Sequence, residues 1–151
     1  MTLDKATLFA YISLAIFILA LLLMPKRLNR KEIYTTWFVM ACLTLNTDLI
    51  FGLILDLYDF IYPDITLSDL ILQAALPPAA GILALNFQPQ KNSHFLFYLI
   101  LVVCCSLLFE WISVLFGYLI YKGWRMWYSI PFYALGLLYL RWHLQFLRRP
   151  N

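Results

Sequence analysis

Charged residues are scarce in this sequence of 151 residues. Asp, Glu, Lys and Arg together make up 13% of it, whereas 64% is hydrophobic. Soluble domains carry about 25% charged residues, so this composition excludes an ordinary water-soluble domain. The sequence also has only 5 glycines and 7 prolines, and its polar stretches are short. We therefore predict no flexible linker or disordered tail, and a single membrane domain over residues 1–151.

Catalytic and cofactor-binding motifs are absent as well. The sequence contains no G-x-S-x-G, no H-E-x-x-H and no glycine-rich phosphate loop. Cys42, Cys104 and Cys105 lie in apolar segments without metal-ligand spacing, so we expect reduced packing residues. His94 and His143 form no visible metal cluster, and the basic residues behind the net charge of +3 sit in small clusters between apolar runs and not along one face. We predict no enzyme, cofactor, metal site or nucleic-acid partner.

Long apolar runs dominate what remains. Each is close to the ~20 residues that a helix needs to cross a bilayer. They predict an all-α protein, a polytopic transmembrane bundle with five spans, at residues 6–24, 33–55, 67–87, 95–121 and 127–147. The third run either spans or re-enters the membrane. The fourth is longer than a bilayer requires, and Gly123 beyond it suits a helix C-cap.

The basic residues predict an orientation. Cytoplasmic loops carry an excess of Lys and Arg, and an outside N-terminus leaves only Lys5, Lys122 and Arg125 outside. The cytoplasmic side then holds Lys26, Arg27, Arg30, Lys31, Lys91, Arg148 and Arg149. We predict N-out, C-in insertion.

Residues near the span ends fit this orientation. An acidic loop with Asp56, Asp59 and Asp64 is then extracytoplasmic. Trp124 belongs to an interfacial aromatic belt, and Trp111 is expected in the core.

Asp48 is an acidic residue inside the second predicted span, next to Asn46. A charge at the centre of a bilayer costs roughly 2.5–3.5 kcal/mol on insertion scales, so such a residue is a candidate functional site. Thr44, Asp48 and Gly52 are spaced by four residues. This polar and small stripe should face other helices.

Glu110 and Arg141 also stand out as charged residues inside predicted spans. Ser106, Ser113 and Gly117 share the face of Glu110 and offer close packing and hydrogen bonds. Glu110 is then either functional or an interhelical hydrogen-bonding residue. Arg141 either pairs with Glu110 across the last hairpin or extends to the cytoplasmic interface.

Pro77 and Pro78 predict a kink in the third span, because proline cannot donate a helical hydrogen bond. The carbonyls of Gln73 and Ala74 lose their donors there. At membrane depth a freed carbonyl needs another partner. Neighbouring side chains satisfy them, or Gln73 and these carbonyls bind a cation or a small polar ligand.

The last third of the chain carries a resemblance to a known family. Phe109-Glu110-Trp111, Tyr121-Lys122-Gly123-Trp124 and Tyr128-Ser129 resemble segments of small, uncharacterised multi-pass membrane proteins from spore-forming Gram-positive bacteria. The resemblance implies a bacterial plasma membrane and no particular activity. It also implies that Glu110 and the turn 122–124 act as a unit.

Three functions remain open. The first is a non-enzymatic subunit, regulator or scaffold, with the bilayer and a second membrane protein or further copies of this chain as partners. The second is a proton- or cation-coupled transporter or small oligomeric channel that uses Asp48 and Glu110. The third is an intramembrane enzyme with the same two carboxyl groups as acid and base. No pattern in the sequence names a ligand, a partner or a process.

Overall fold

The computed structural model of the protein describes residues 4–61 and 66–149. It is mostly helical, which confirms the all-α class. The helices are α1 (Lys5–Leu23), α2 (Arg30–Asp48), α3 (Leu67–Phe87), α4 (Asn92–Leu115) and α5 (Met126–Leu147), with a π-helical turn (Leu49–Ile54) that continues α2, and two short strands, β1 (Tyr58–Phe60) and β2 (Leu119–Tyr121). Four helices, α1 to α4, are long and apolar enough to cross a membrane. Asp64 of the acidic loop lies outside the described residues.

The helices run alternately up and down, which defines two ends of the bundle. We name the end that contains β1 and β2 the ribbon end, and the end with the α1–α2 and α3–α4 linkers the linker end. On the predicted orientation the ribbon end is extracytoplasmic. The starts of α1, α3 and α5 therefore lie at the same end as Asp48 and Glu110.

Helix α3 is the central element of the bundle. It packs against α1, α2 and α5, while α4 packs mainly on α5. Leu72 and Ile82 of α3 are fully buried, one towards each end. The helix is continuous through Pro77 and Pro78, and its 21 residues reach about 31 Å. It therefore has the length that a span requires.

Capping residues in the sequence fix where two helices begin. Asn29 Oδ1 accepts from the Glu32 N–H at 2.8 Å, and Glu32 Oε2 accepts from the Asn29 N–H at 2.9 Å. Thr66 and Asp69 form the same reciprocal box at the start of α3. Such a box satisfies N–H groups that would otherwise lack partners at a helix start.

Helix α4 ends six residues before the predicted boundary at residue 121. Gly117 adopts φ +75°, its N–H donates to Val114 O at 3.0 Å, and the N–H of Tyr118 donates to Ser113 O at 2.9 Å. These two bonds make a Schellman motif, which terminates a helix with a left-handed glycine. The expectation that Gly123 caps this helix is wrong, and Gly117 takes that role.

Strands β1 and β2 form an antiparallel ribbon that the sequence did not predict. Tyr58 pairs with Tyr121, and Phe60 pairs with Leu119. Three successive N–H groups, those of Lys122, Gly123 and Trp124, then donate to Leu57 O at 2.9–3.0 Å. The ribbon therefore ties the turn between α4 and α5 to the segment after α2.

The outer surface of the bundle is apolar, as a lipid-facing surface is. Leu23 is 75% exposed. Two expectations about packing are wrong, because Trp111 is 50% exposed and the three free cysteines are also exposed and not core residues. An apolar side chain that faces lipid and one that faces the core have the same hydrophobicity, so composition does not separate them.

Candidate functional site

Glu110 lies near the ribbon end of α4 and is 5% exposed. Its carboxylate accepts three hydroxyl hydrogen bonds. Tyr121 Oη and Ser129 Oγ donate to Oε1 at 2.5 and 2.6 Å, and Tyr133 Oη donates to Oε2 at 2.7 Å. These donors come from β2 and α5. They are not the predicted serines of α4, since Ser113 Oγ donates to its own helix at Phe109 O.

Trp124 extends this network towards the ribbon. Its Nε1 donates to Ser129 Oγ at 2.9 Å, and its ring contacts the rings of Phe51, Tyr58 and Phe132. Trp124 is therefore half-buried and packs within the ribbon end, and its place in an interfacial belt stays a prediction. The turn 122–124 and Ser129 are joined to Glu110 by direct contacts.

Arg141 does not pair with Glu110. Its Nη2 donates to Asn92 Oδ1 at 2.7 Å, and its guanidinium carbon lies 3.8 Å from the ring centroid of Phe95. The two side chains do not meet because they lie at different depths along the bundle. Glu110 is about 8 Å from the end of α4, whereas Arg141 is about 23 Å into α5. The alternative, an Arg141 that extends to the linker end, describes the structure.

Asp48 lies at the ribbon end of α2. Its Oδ1 accepts from Tyr58 Oη at 2.8 Å, while its buried Oδ2 has no hydrogen-bond partner among the described residues. Tyr58 and Tyr121 are opposite each other in the ribbon, so each of these paired tyrosines donates to a carboxylate on a different helix. The ribbon thus links Asp48 on α2 to Glu110 on α4.

The predicted polar stripe on α2 faces its neighbours. Thr44 Oγ1 lies 3.3 Å from Gln73 O, which is a carbonyl that Pro77 deprives of its helical donor. A Cβ on Gly52 would lie 3.3 Å from the Tyr58 ring. Asn46 differs, because it is exposed and its side chain donates to Cys42 O of its own helix at 2.7 Å.

A cavity of about 140 Å³ lies between the end of α2, the strand β1 and the start of α3. Gln73, Tyr58 and apolar side chains line it. Four aspartates also line it: Asp48, Asp56, Asp59 and Asp69. Gln73 Nε2 also lies 3.4 Å from Tyr118 Oη. We name this space the acidic cavity. Within residues 4–61 and 66–149, no three His, Cys, Asp or Glu side chains are close enough to hold a metal ion.

Lys122 bridges two of these aspartates. Its Nζ lies 2.5 Å from Asp56 Oδ1 and 2.9 Å from Asp59 Oδ2. The hydrogen bonds that the Lys122 ammonium donates, first to Asp56 and then to Asp59, raise the pKa of Lys122 above its usual value. Lys122 is therefore an ammonium at neutral pH.

Sequence reasoning missed the role of Asp56, Asp59 and Asp69. The available signal was the concentration of acidic residues between positions 48 and 69. Asp56 and Asp59 were assigned to an extracytoplasmic loop and Asp69 was not singled out, because the approach of α3 to β1 is a tertiary feature.

No protein-family model, no curated protein and no solved structure matches this chain. The resemblance to a membrane family of spore-forming bacteria therefore stays a prediction. Function has to be inferred from the side chains themselves.

The polar residues at the linker end also bond within the protein. Arg148 Nε donates to Glu32 Oε1 at 2.7 Å, and Arg148 Nη2 donates to Arg27 O at 3.2 Å. Asn86 Oδ1 accepts from the Arg27 N–H at 2.9 Å, while its Nδ2 donates to Pro25 O at 3.0 Å. These bonds hold the α1–α2 linker against α3 and the end of α5.

Proposed function

We propose that this protein is a non-enzymatic integral membrane protein with five spans, inserted N-out and C-in in a bacterial plasma membrane. It acts as a subunit, regulator or scaffold through helix–helix contacts. The observation that carries this proposal is the bonding of Glu110, whose carboxylate accepts three hydroxyl groups of the same chain. Of the two alternatives for Glu110, this bonding supports the interhelical hydrogen-bonding role.

The bonding of Glu110 argues against a chemical or ion-carrying role at that residue. A general acid or base has to reach a proton of the substrate. An ion or a substrate at Glu110 would have to displace Tyr121, Ser129 or Tyr133. Removing a hydrogen bond to a buried charged group costs about 1.5–3 kcal/mol.

The remaining polar groups support the same proposal. Arg141, Arg148, Glu32 and Asn86 are bonded to other parts of the chain, so they stabilise the bundle. The outward helix faces are apolar and suit either lipid or the helices of a partner. A partner would be a second membrane protein or another copy of this chain.

A second candidate is a proton- or cation-coupled transporter or small oligomeric channel. Asp48 favours it, because one of its oxygens is buried without a partner among the described residues and it lines the acidic cavity. Glu110 no longer supports this candidate. The ion site would lie at the ribbon end.

A pH-resolved ion-flux assay in lipid vesicles separates the two candidates. It compares the wild type with Glu110→Gln and Asp48→Asn. Asp4→Asn is the matched control, because Asp4 is an exposed acid at the same end without a side-chain capping bond. We expect no flux above that of empty vesicles from any of these proteins, with helical content unchanged. Flux that is lost in Asp48→Asn and kept in Asp4→Asn would overturn the first proposal and support the second.

A further inference from the structure

Two carboxylate oxygens are left without donors beside the acidic cavity. Asp69 is 6% exposed, and its Oδ1 is buried without a hydrogen-bond partner within the described part of the chain. Asp48 Oδ2 is in the same situation. Both residues line the cavity. A buried charged oxygen without a partner is costly, so each such oxygen calls for a donor.

The other oxygens of these residues are already occupied. Asp69 Oδ2 accepts from the N–H and the hydroxyl of Thr66 at 3.0 and 2.6 Å, and Asp48 Oδ1 accepts from Tyr58. These bonds hold both carboxylates in fixed orientations. Lys122 offsets charge at Asp56 and Asp59, but it forms no ion pair with Asp48 or Asp69 among the described residues. The negative charge of these two residues is therefore not neutralised by Lys122.

The geometry favours an organic cation over a metal ion. Ca²⁺ takes about six to eight oxygen ligands at short distances, whereas the described residues do not bring three carboxylates to one point. An ammonium group has several N–H donors and can bridge separated acceptors. Lys122 shows this chemistry at the same site, since its ammonium joins Asp56 and Asp59. Tyr58, which donates to Asp48, also lines the cavity.

The size of the cavity limits the ligand. Its volume of about 140 Å³ is close to that of the roughly 150 Å³ engineered cavity that holds benzene. We propose that the acidic cavity binds a small primary amine in its ammonium form, with Asp48 and Asp69 accepting its N–H groups. This inference requires neither the helix-contact role nor ion flux. Binding without flux would leave the proposed function intact.

Calorimetric titration of the full-length protein in lipid nanodiscs with ethylammonium chloride tests the inference. We expect saturable binding that weakens about tenfold or more in Asp48→Asn and in Asp69→Asn. The variant Asp4→Asn removes one negative charge from the same end without touching the cavity, and it should bind as the wild type does. Tetramethylammonium, which has no N–H donor, should not compete.

Three outcomes would overturn the inference. The first is the absence of saturable binding to the folded wild type. The second is binding that both cavity variants retain, and the third is equal competition by potassium or tetramethylammonium. In Asp69→Asn the asparagine oxygen can still accept from Thr66. If that variant nevertheless fails to fold, Asp48→Asn decides, because Asp48 belongs to no capping box.

Discussion

At the scale of single residues, two acids of an otherwise apolar bundle accept hydrogen bonds from hydroxyl groups. Glu110 receives three such donors, and Asp48 receives one from Tyr58. Hydrogen bonds to a charged acceptor are stronger than those between neutral groups. The tyrosines Tyr58, Tyr121 and Tyr133 therefore do more than fill space. Their hydroxyl groups bond Asp48 of α2 to β1, and Glu110 of α4 to β2 and α5.

Lys122 gives a pH dependence whose sign follows from its ion pairs. The pKa of Lys122 is raised above its usual 10.5 in the folded protein. Its stabilising contribution is therefore fully present below that value and is lost as the pH rises through the folded pKa. We expect wild-type stability to fall relative to Lys122→Gln across this alkaline range. Thermal unfolding of the purified protein at several pH values measures the difference.

The matched control for this prediction is Lys5→Gln. Lys5 is an exposed lysine at the same end, and it forms no ion pair with the described residues. Its substitution should leave the pH profile as it is in the wild type. High salt should shrink the Lys122 effect, because exposed ion pairs are screened. A Lys122→Gln profile parallel to that of the wild type would contradict the prediction.

At the scale of elements, the left-handed glycine at the end of α4 decides where the ribbon starts. Gly117 has φ +75° and open space where a Cβ would be. Gly117→Ala should therefore destabilise the protein by about 1–2 kcal/mol through backbone conformation alone. Gly136→Ala in α5 also meets open space, but at an ordinary helical position. It should be neutral or stabilising by up to about 1 kcal/mol.

Chemical denaturation of the two glycine variants in mild detergent measures both effects. Because neither new methyl group meets a neighbour within 4 Å, packing does not confuse the comparison. Equal stability of the two variants would show that the Schellman motif does not set the end of α4.

The boundaries of the elements show which part of the fold local patterns determine. The predicted third span, residues 67–87, coincides with α3. A capping box of Thr66 and Asp69, two residues three positions apart in the sequence, fixes the start of this helix. The predicted fourth span ran past Gly117, because hydrophobicity continues through Leu119 and Ile120. In the structure, these two apolar residues belong to strand β2 of the ribbon and not to α4. Strand pairing across some sixty residues leaves no local signal.

The candidate site was predictable to a smaller extent than the helices. Asp48 and Glu110 were identified because an acid in an apolar run is costly. Their partners were not identified, since a tyrosine near a span end has the same pattern whether it lies at the membrane surface or donates to a buried acid. Of the two alternatives for Arg141, extension towards the linker end agrees with the structure, and pairing with Glu110 does not. The depth of Glu110 depended on where α4 ends.

At the scale of the whole molecule, the number of spans depends on α5. This helix has 22 residues, but it is not among the four helices apolar enough to span by composition. Arg141, His143 and Gln145 lower its hydropathy, and they lie near the linker end. Its connections to α2 and α3 there, and to Glu110 at the other end, place it along the length of the bundle. We therefore predict a fifth span.

Thiol labelling of intact cells tests this topology. In a background without Cys42, Cys104 and Cys105, single cysteines replace Lys5 or Arg149. We expect an impermeant reagent to label Lys5→Cys in intact cells and Arg149→Cys only after permeabilisation. Labelling of both positions from the same side would mean an even number of spans and would contradict the fifth.

The claim that the carboxylate of Glu110 holds the bundle together is tested most directly by a double-mutant cycle. Unfolding free energies are measured for the wild type, Glu110→Gln, Tyr133→Phe and the double variant in detergent micelles. We predict a coupling energy of about 1–2 kcal/mol. The control pair, Glu32→Gln with Tyr133→Phe, joins opposite ends and should be additive within about 0.5 kcal/mol. Additivity of the Glu110 and Tyr133 substitutions would contradict the structural role of Glu110.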